Sequence, residues 1–256
     1  MSNLLLHEDK QSCANVGLFC ECFPPVMDGV SVCMQNYARW IQQKVGGAYV
    51  VTPNAEMAYE ALHNEEFRRV LNEAELVLPD GAGVVLGAKI LKTPLKQKVA
   101  GIEFAQNMLP VYEELGSRLY LLGSKPGVAE LAAEKMLERH PDLCICGTAD
   151  GYFRDEAEVV RKINEAGADV LYVCLGAPKQ EYFMYRHRED LSIRLMAGLG
   201  GTLDGIAGTV KRAPRWMIRL QLEWLYRLIK EPRRFGRMLR LPKFVFAALK
   251  KRMKGD

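Results

Sequence analysis

The chain has 256 residues, 49% of them hydrophobic and 26% charged, a globular composition with room for one large α/β domain or two small ones. No apolar stretch reaches the roughly 18 residues that a membrane-spanning helix needs. The opening MSNLLLHEDK has too short an apolar patch for a secretory signal. The net charge of +4 is unevenly divided: residues 211–256 hold 15 Lys/Arg against 3 Asp/Glu, a local +12, and the first 210 residues hold 20 against 28, a local −8. An acidic body with a basic tail points to an anionic partner for the tail, either nucleic acid or a membrane surface. The seven cysteines are an odd number with no C-x-x-C spacing, so they read as small buried residues of a reduced, cytoplasmic protein.

From residue 48 to about residue 198, short apolar runs alternate with helical patterns. AYVVT (48–52) reads as a strand, EMAYEALHNEEFRRVLNEA (56–74) as a helix and LVLP (76–79) as a second strand. LYLLG (119–123) is a strand, GVAELAAEKMLERH (127–140) a helix and DLCICG (142–147) a strand. EAEVVRKINEAG (156–167) is a helix, followed by the strands DVLYVCLG (169–176) and IRLMAGLG (193–200). The strand runs are continuously apolar instead of alternating, as expected where helices cover both faces of a parallel sheet. The rhythm predicts an α/β fold: a Rossmann-like, mostly parallel sheet with helices on both faces, over residues 1–210.

Ligands in such sheets bind outside the carboxyl ends of the strands. Three exits there are rich in turn residues. LLGSKPG offers Gly123 and Ser124, with Pro126 near a helix start. CLGAPKQE offers Gly176, Pro178, Lys179 and Gln180. GLGGTLDGIAG leaves the last strand through glycines. Backbone N–H groups at such helix starts are natural phosphate sites, which makes Gly123 and Gly176 candidate substrate-binding positions. Asp80, in LPDGAG, stands at a fourth strand end between Pro79 and Gly81. There is no G-x-G-x-x-G after the first strand, no P-loop, no G-x-S-x-G and no H-E-x-x-H, and His7, His63, His140 and His187 are scattered in charged, surface-type settings. No metal site and no cofactor are expected.

The tail breaks into three helical pieces at Pro214, Pro232 and Pro242. On the first, Met217, Leu220, Trp224 and Leu228 line one stripe beside Ile218, Leu222, Leu225 and Ile229, an apolar arc about 200° wide. This arc can cover the core, a bilayer or a second subunit of a homo-oligomer. The following pieces alternate bulky apolar residues with cations, the pattern of a helix lying on anionic lipid. Residues 211–256 are therefore expected to be a helical, membrane-contacting appendage. The abundance of leucines and aromatics favours membrane over nucleic acid as the partner.

Seven segments occur in the order and spacing of one family: VVTPNAEM, LPDGAGVV, KVAGIEF, LYLLGSKPG, CLGAPKQE, GLGGTLDGIAGTVKRAP and EWLYRLIKEPRR. From about residue 49 to residue 240 the chain resembles the WecG/TagA/CpsF glycosyltransferases. The resemblance implies an inverting, metal-independent enzyme. Its donor would be a UDP-sugar of the N-acetylmannosamine type, and its acceptor an N-acetylglucosamine linked through diphosphate to undecaprenol. Asp80 matches the family's proposed base, Thr52, Asn54 and Gln180 match pocket positions, and Arg227, Arg234 and Arg237 match tail arginines thought to fold over the site. Lys98 stands where the family usually has arginine, keeping the charge without the planar fork. No two aspartates are separated by one residue, so the D-x-D motif that often holds a metal for the departing UDP is lacking, and helix N-termini with tail arginines are the expected source of positive charge.

Residues 15–45, NVGLFCECFPPVMDGVSVCMQNYARWIQQKV, resemble the first strand, glycine loop and helix of two-domain retaining glycosyltransferases. Asp28 and Gly29 match donor contacts of that class and are expected here to be structural. A retaining nucleotide-sugar transferase is thus one alternative, short of that class's second domain. A non-catalytic membrane-bound scaffold of polysaccharide assembly is another.

Overall fold

The computed structural model describes residues 47–254 apart from 94, 96, 97, 212, 215, 218, 219, 221, 231–235, 237 and 238, with backbone alone at 223, 227 and 254. Among the described residues six strands form one sheet: β1 (Ala48–Val51), β2 (Leu76–Val77), β3 (Leu119–Gly123), β4 (Ile145–Ala149), β5 (Val170–Cys174) and β6 (Leu195–Gly198). Their order is β2-β1-β6-β5-β3-β4 and every pairing is parallel. All six carboxyl ends therefore face the same edge. Five strands fall within their apolar runs, and β4 starts in DLCICG and continues two residues beyond it, to Ala149.

Alternation along the strands explains why those runs are continuous. Ala48, Val50, Leu119, Leu121, Val170 and Tyr172 face one layer, built from α4 (Gly101–Glu114), α5 (Val128–Leu137) and α8 (Thr202–Ala207). Tyr49, Val51, Tyr120, Leu122, Leu171 and Val173 face the other. That second layer is built from α1 (Ala55–His63), α2 (Glu65–Asn72), α6 (Glu156–Glu165) and α7 (Lys179–His187), with Val84 of α3 (Ala82–Ile90) joining it. Both faces are buried, so no position on a central strand tolerates a polar side chain without a partner.

The helix expected over 56–74 is two helices. Asn64 lies in extended conformation between them, and its side-chain oxygen accepts the Phe67 N–H at 3.0 Å, capping α2. A short amide side chain competes with the helix for backbone donors, and here it wins. The tail departs from expectation at one proline. Between Pro214 and Pro232 the described residues include helical Trp216–Met217 and α9 (Glu223–Lys230). Pro242 does not break a helix but sits in the first turn of α10 (Arg240–Lys254), where the N–H that proline lacks would have no intrahelical partner. Pro232 lies outside the described residues.

α10 packs on α1 and α3, with Phe244 and Ala248 buried. Two glycines of α3, four residues apart, make its seat. A Cβ on Gly83 would run into Leu241, and one on Gly87 would stand 2.5 Å from Cε1 of the Phe244 ring. Arg240 adds an ion pair to Glu60 of α1 at 2.8 Å. Because Leu241 and Phe244 fill the space a side chain would need, Gly87→Leu should undock α10 while leaving the sheet intact. Limited proteolysis should then cut within 240–254 at least tenfold faster, a loss of about 1.4 kcal/mol of docking energy, with little change in the core's thermal transition.

Candidate active site

At the carboxyl edge the chain continues the sheet's hydrogen bonding one step beyond the strands. Leu78 N–H donates to Val51 O at 2.8 Å, and Asp80 N–H donates to Pro53 O at 3.0 Å. Val99 N–H donates to Pro79 O at 2.8 Å. Segments 52–54, 78–80 and 98–100 thus lie side by side, bringing the backbone positions of Asn54, Asp80 and Lys98 to one corner. Asp80 and Lys98 are both partly exposed. The N-cap position of α3 belongs to Gly81 at φ +91, a conformation suited to glycine, and not to Asp80.

Asn54 caps α1, its side-chain oxygen accepting from Glu56 N–H at 2.9 Å and Met57 N–H at 3.1 Å. Thr52 is buried, and its hydroxyl donates to Gly198 O at 2.9 Å. Gln180 is buried as well. Its Nε2 donates to Glu181 Oε1 at 2.7 Å, and its Oε1 accepts the Gly200 N–H at 2.9 Å. Thr52 and Gln180 therefore hold the glycine turn after β6 from its two sides, as β6 lies between β1 and β5.

On the far side of that turn, Gly123 has φ +132, and a Cβ there would collide with the Cys174 backbone. Only glycine allows β3 to end so close to β5. Ser124 follows, its hydroxyl donating to Asp204 Oδ2 at 2.8 Å. Gly176 has φ +76 with open space where a Cβ would be. Lys179 Nζ donates to Gly151 O at 3.0 Å and lies 4.3 Å from the Phe153 ring centroid. Arg227 contributes backbone to α9; its side chain, with Arg234, Arg237, Asp28, Gly29, His7, Cys13, Cys20, Cys22 and Cys33, lies outside the described residues.

The helix starts at this edge fall into two groups. Side chains cap α1 and α6, through Asn54 and Asp155. α3, α4, α5 and α7 begin at Gly81, Ala100, Gly127 and Pro178 without a side-chain cap bond. Their first N–H groups carry the positive end of the helix dipole toward the edge where Asp80 stands. The carboxyl edge thus combines a carboxylate with several uncharged donors.

Glu181 was not singled out in the sequence. It is fully buried, its Oε2 has no hydrogen-bond partner among the described residues, and burial pushes its pKa up to about 7 against the opposing pull of the Gln180 amide. A signal existed: Gln180, Glu181, Phe183 and Met184 share the buried face of α7, so Glu181 sits three residues before Met184 on an apolar stripe.

Residues 27–256 match the Glycosyl transferase WecG/TagA/CpsF family. The fold and the motif-bearing edge are those of a glycosyltransferase, and the chain belongs to that family. The match takes in residues 27–48, upstream of the first motif segment recognised in the sequence. Three relatives share the name N-acetylglucosaminyldiphosphoundecaprenol N-acetyl-beta-D-mannosaminyltransferase. The protein from Bacillus spizizenii is 39% identical over 80% of this chain and 79% of its own length. Those from Bacillus subtilis, at 38% over 83% and 82%, and Staphylococcus aureus, at 32% over 83% and 84%, agree with it.

The raised pKa of Glu181 has a consequence for stability. The folded state holds this proton more tightly than the unfolded chain, so its stabilising contribution is complete below the ordinary carboxyl pKa and is lost as pH rises to about 7. Glu181→Gln removes the titration. The variant should match the wild type near about pH 4 and exceed it at about pH 8 by up to about 3 kcal/mol, read by denaturant unfolding.

Proposed function

We propose that this protein transfers an N-acetylmannosamine-type sugar from a UDP donor to N-acetylglucosaminyl-diphospho-undecaprenol, with inversion and with Asp80 as general base. The observation that carries the reading is the corner where Asp80, Asn54 and Lys98 meet at the carboxyl edge of the sheet, in a chain whose relatives bear that acceptor and sugar in their names. In the step itself, the Asp80 carboxylate takes the proton from an acceptor hydroxyl as its oxygen bonds to the anomeric carbon. The bond from that carbon to the UDP oxygen breaks, and the electron pair leaves with the diphosphate. The uncapped starts of α5 and α7, Lys98, and the tail residues Arg227, Arg234 and Arg237 receive the negative charge that develops.

The membrane is the second half of the proposal. Trp216, Leu220, Ile229, Leu239, Phe246, Leu249 and Met253 are all exposed large apolar residues of the tail. They lie among cations such as Lys243, Lys250 and Arg252, and each cation near an anionic surface contributes about 1 kcal/mol. Among the described residues no helix is long and apolar enough to cross a bilayer. The protein then works as a peripheral enzyme on the inner face of the cell membrane, where its acceptor is anchored.

Asp80→Asn should lower kcat by about 10² to 10⁴ while the folded spectrum and donor affinity are kept, measured as UDP release with short-chain lipid-diphosphate acceptor. Equal activity of that variant would remove Asp80 from the chemistry. Activity should persist in EDTA. Deleting residues 211–256 should abolish both transfer to lipid acceptor and sedimentation with anionic vesicles, and a fully active truncated core would overturn the role of the tail.

A further inference from the structure

At the start of α7, a carboxyl group sits where a charge is costly. Glu181 is fully buried, with Oε1 bonded to Gln180 Nε2 at 2.7 Å and Oε2 unpartnered among the described residues. A well-packed apolar residue at such a position is often no less stable, so a buried carboxyl has to be explained by what it holds. What it holds is the orientation of one amide. Gln180 must present its carbonyl oxygen to the Gly200 N–H, 2.9 Å away. A flipped amide would set NH₂ against N–H, two donors with no acceptor. The Oε1 of Glu181, accepting from Nε2, selects the productive orientation.

The amide in turn fixes the turn at Gly198–Gly201. A Cβ on Gly198 would lie 3.1 Å from Gln180 Nε2 and 2.7 Å from the Met184 methyl, so the turn fits closely against α7. Thr52 holds the Gly198 carbonyl from the β1 side. Leu199 O lies 3.5 Å from where a Cβ on Gly101 would stand, at the uncapped start of α4. The turn thus touches the Asp80 side of the edge and the β5 side together, and Glu181 acts on it through a single intermediary.

We propose that Glu181 is a positioning residue for sugar transfer, setting the Gln180 amide and through it the glycine turn against which the nucleotide-sugar is placed. Burial favours its neutral form below about pH 7, and Oε1 accepts from Gln180 Nε2. The inference rests on the transferase reading above, and its test includes a readout that does not.

The test compares Glu181→Leu and Glu181→Gln in the full-length protein. Leucine fills the space without an acceptor, whereas glutamine restores one. Amide hydrogen exchange over 198–202 should be about tenfold faster in the leucine variant and unchanged in the glutamine variant, as expected for one lost buried hydrogen bond. In steady-state assays the leucine variant should raise the donor KM about tenfold with kcat within about threefold, and glutamine should rescue it. Adding Glu181→Leu to Gln180→Ala should cost nothing further. Wild-type exchange at the turn in the leucine variant, or a glutamine variant as impaired as leucine, would overturn the proposal. If the exchange pattern follows while even the wild type transfers no sugar, the positioning stands and the transferase reading falls.

Discussion

The hydrogen bond from the Thr52 hydroxyl to the Gly198 carbonyl, buried and 2.9 Å long, joins the first described strand to the last. It is available only because β6 enters the sheet between β1 and β5 and not at an edge. That insertion places a glycine turn in the middle of the carboxyl edge, with the Asp80 corner on one side and the glycine-rich exits of β3 and β5 on the other. In a parallel sheet the strand ends share one edge by construction. How they are spaced along it depends on this central turn, and the turn is held by two buried polar side chains, Thr52 and Gln180.

Both residues were expected to line a substrate pocket, and both are buried. Their polar atoms bond to the backbone of the turn. Asn54 combines cap and corner in the same way: its oxygen satisfies two N–H groups of α1, while its backbone lies next to Pro53, whose carbonyl accepts from Asp80. Polar side chains bonded to the backbone in this way fix geometry at small net stability. They suit a reaction that requires an acceptor oxygen, an anomeric carbon and a leaving group in line.

Much of the fold was legible in the sequence because both faces of the sheet are covered. Continuous runs such as LYLLG and DVLYVCLG have no amphipathic ambiguity, and each contains its observed strand. Legibility failed where a local competitor decided the outcome. Asn64 split a helix whose apolar period runs through it, and Pro242 proved harmless because it falls in a first turn. α4 carried no clear helical signature: it opens on Gly101 and holds Pro110 internally, both of which read as breakers. At the edge, Asp80 and the glycine loops stood out by residue type. Glu181 did not, because a glutamate on a helix reads as solvated surface, and its burial depends on β6 packing against α7. The seat of α10 on Gly83 and Gly87 was equally hidden, since glycines four residues apart acquire meaning only when a partner helix is present.

A single displacement with one carboxylate base at the sheet edge is the central claim, and its stereochemistry can be read directly. Proton NMR of the glycosylated lipid acceptor, formed from a UDP-sugar of known configuration, gives the anomeric configuration of the product. The account predicts the configuration opposite to that of the donor. A product with the donor's configuration retained would require a second nucleophile or a front-face mechanism, and would contradict it.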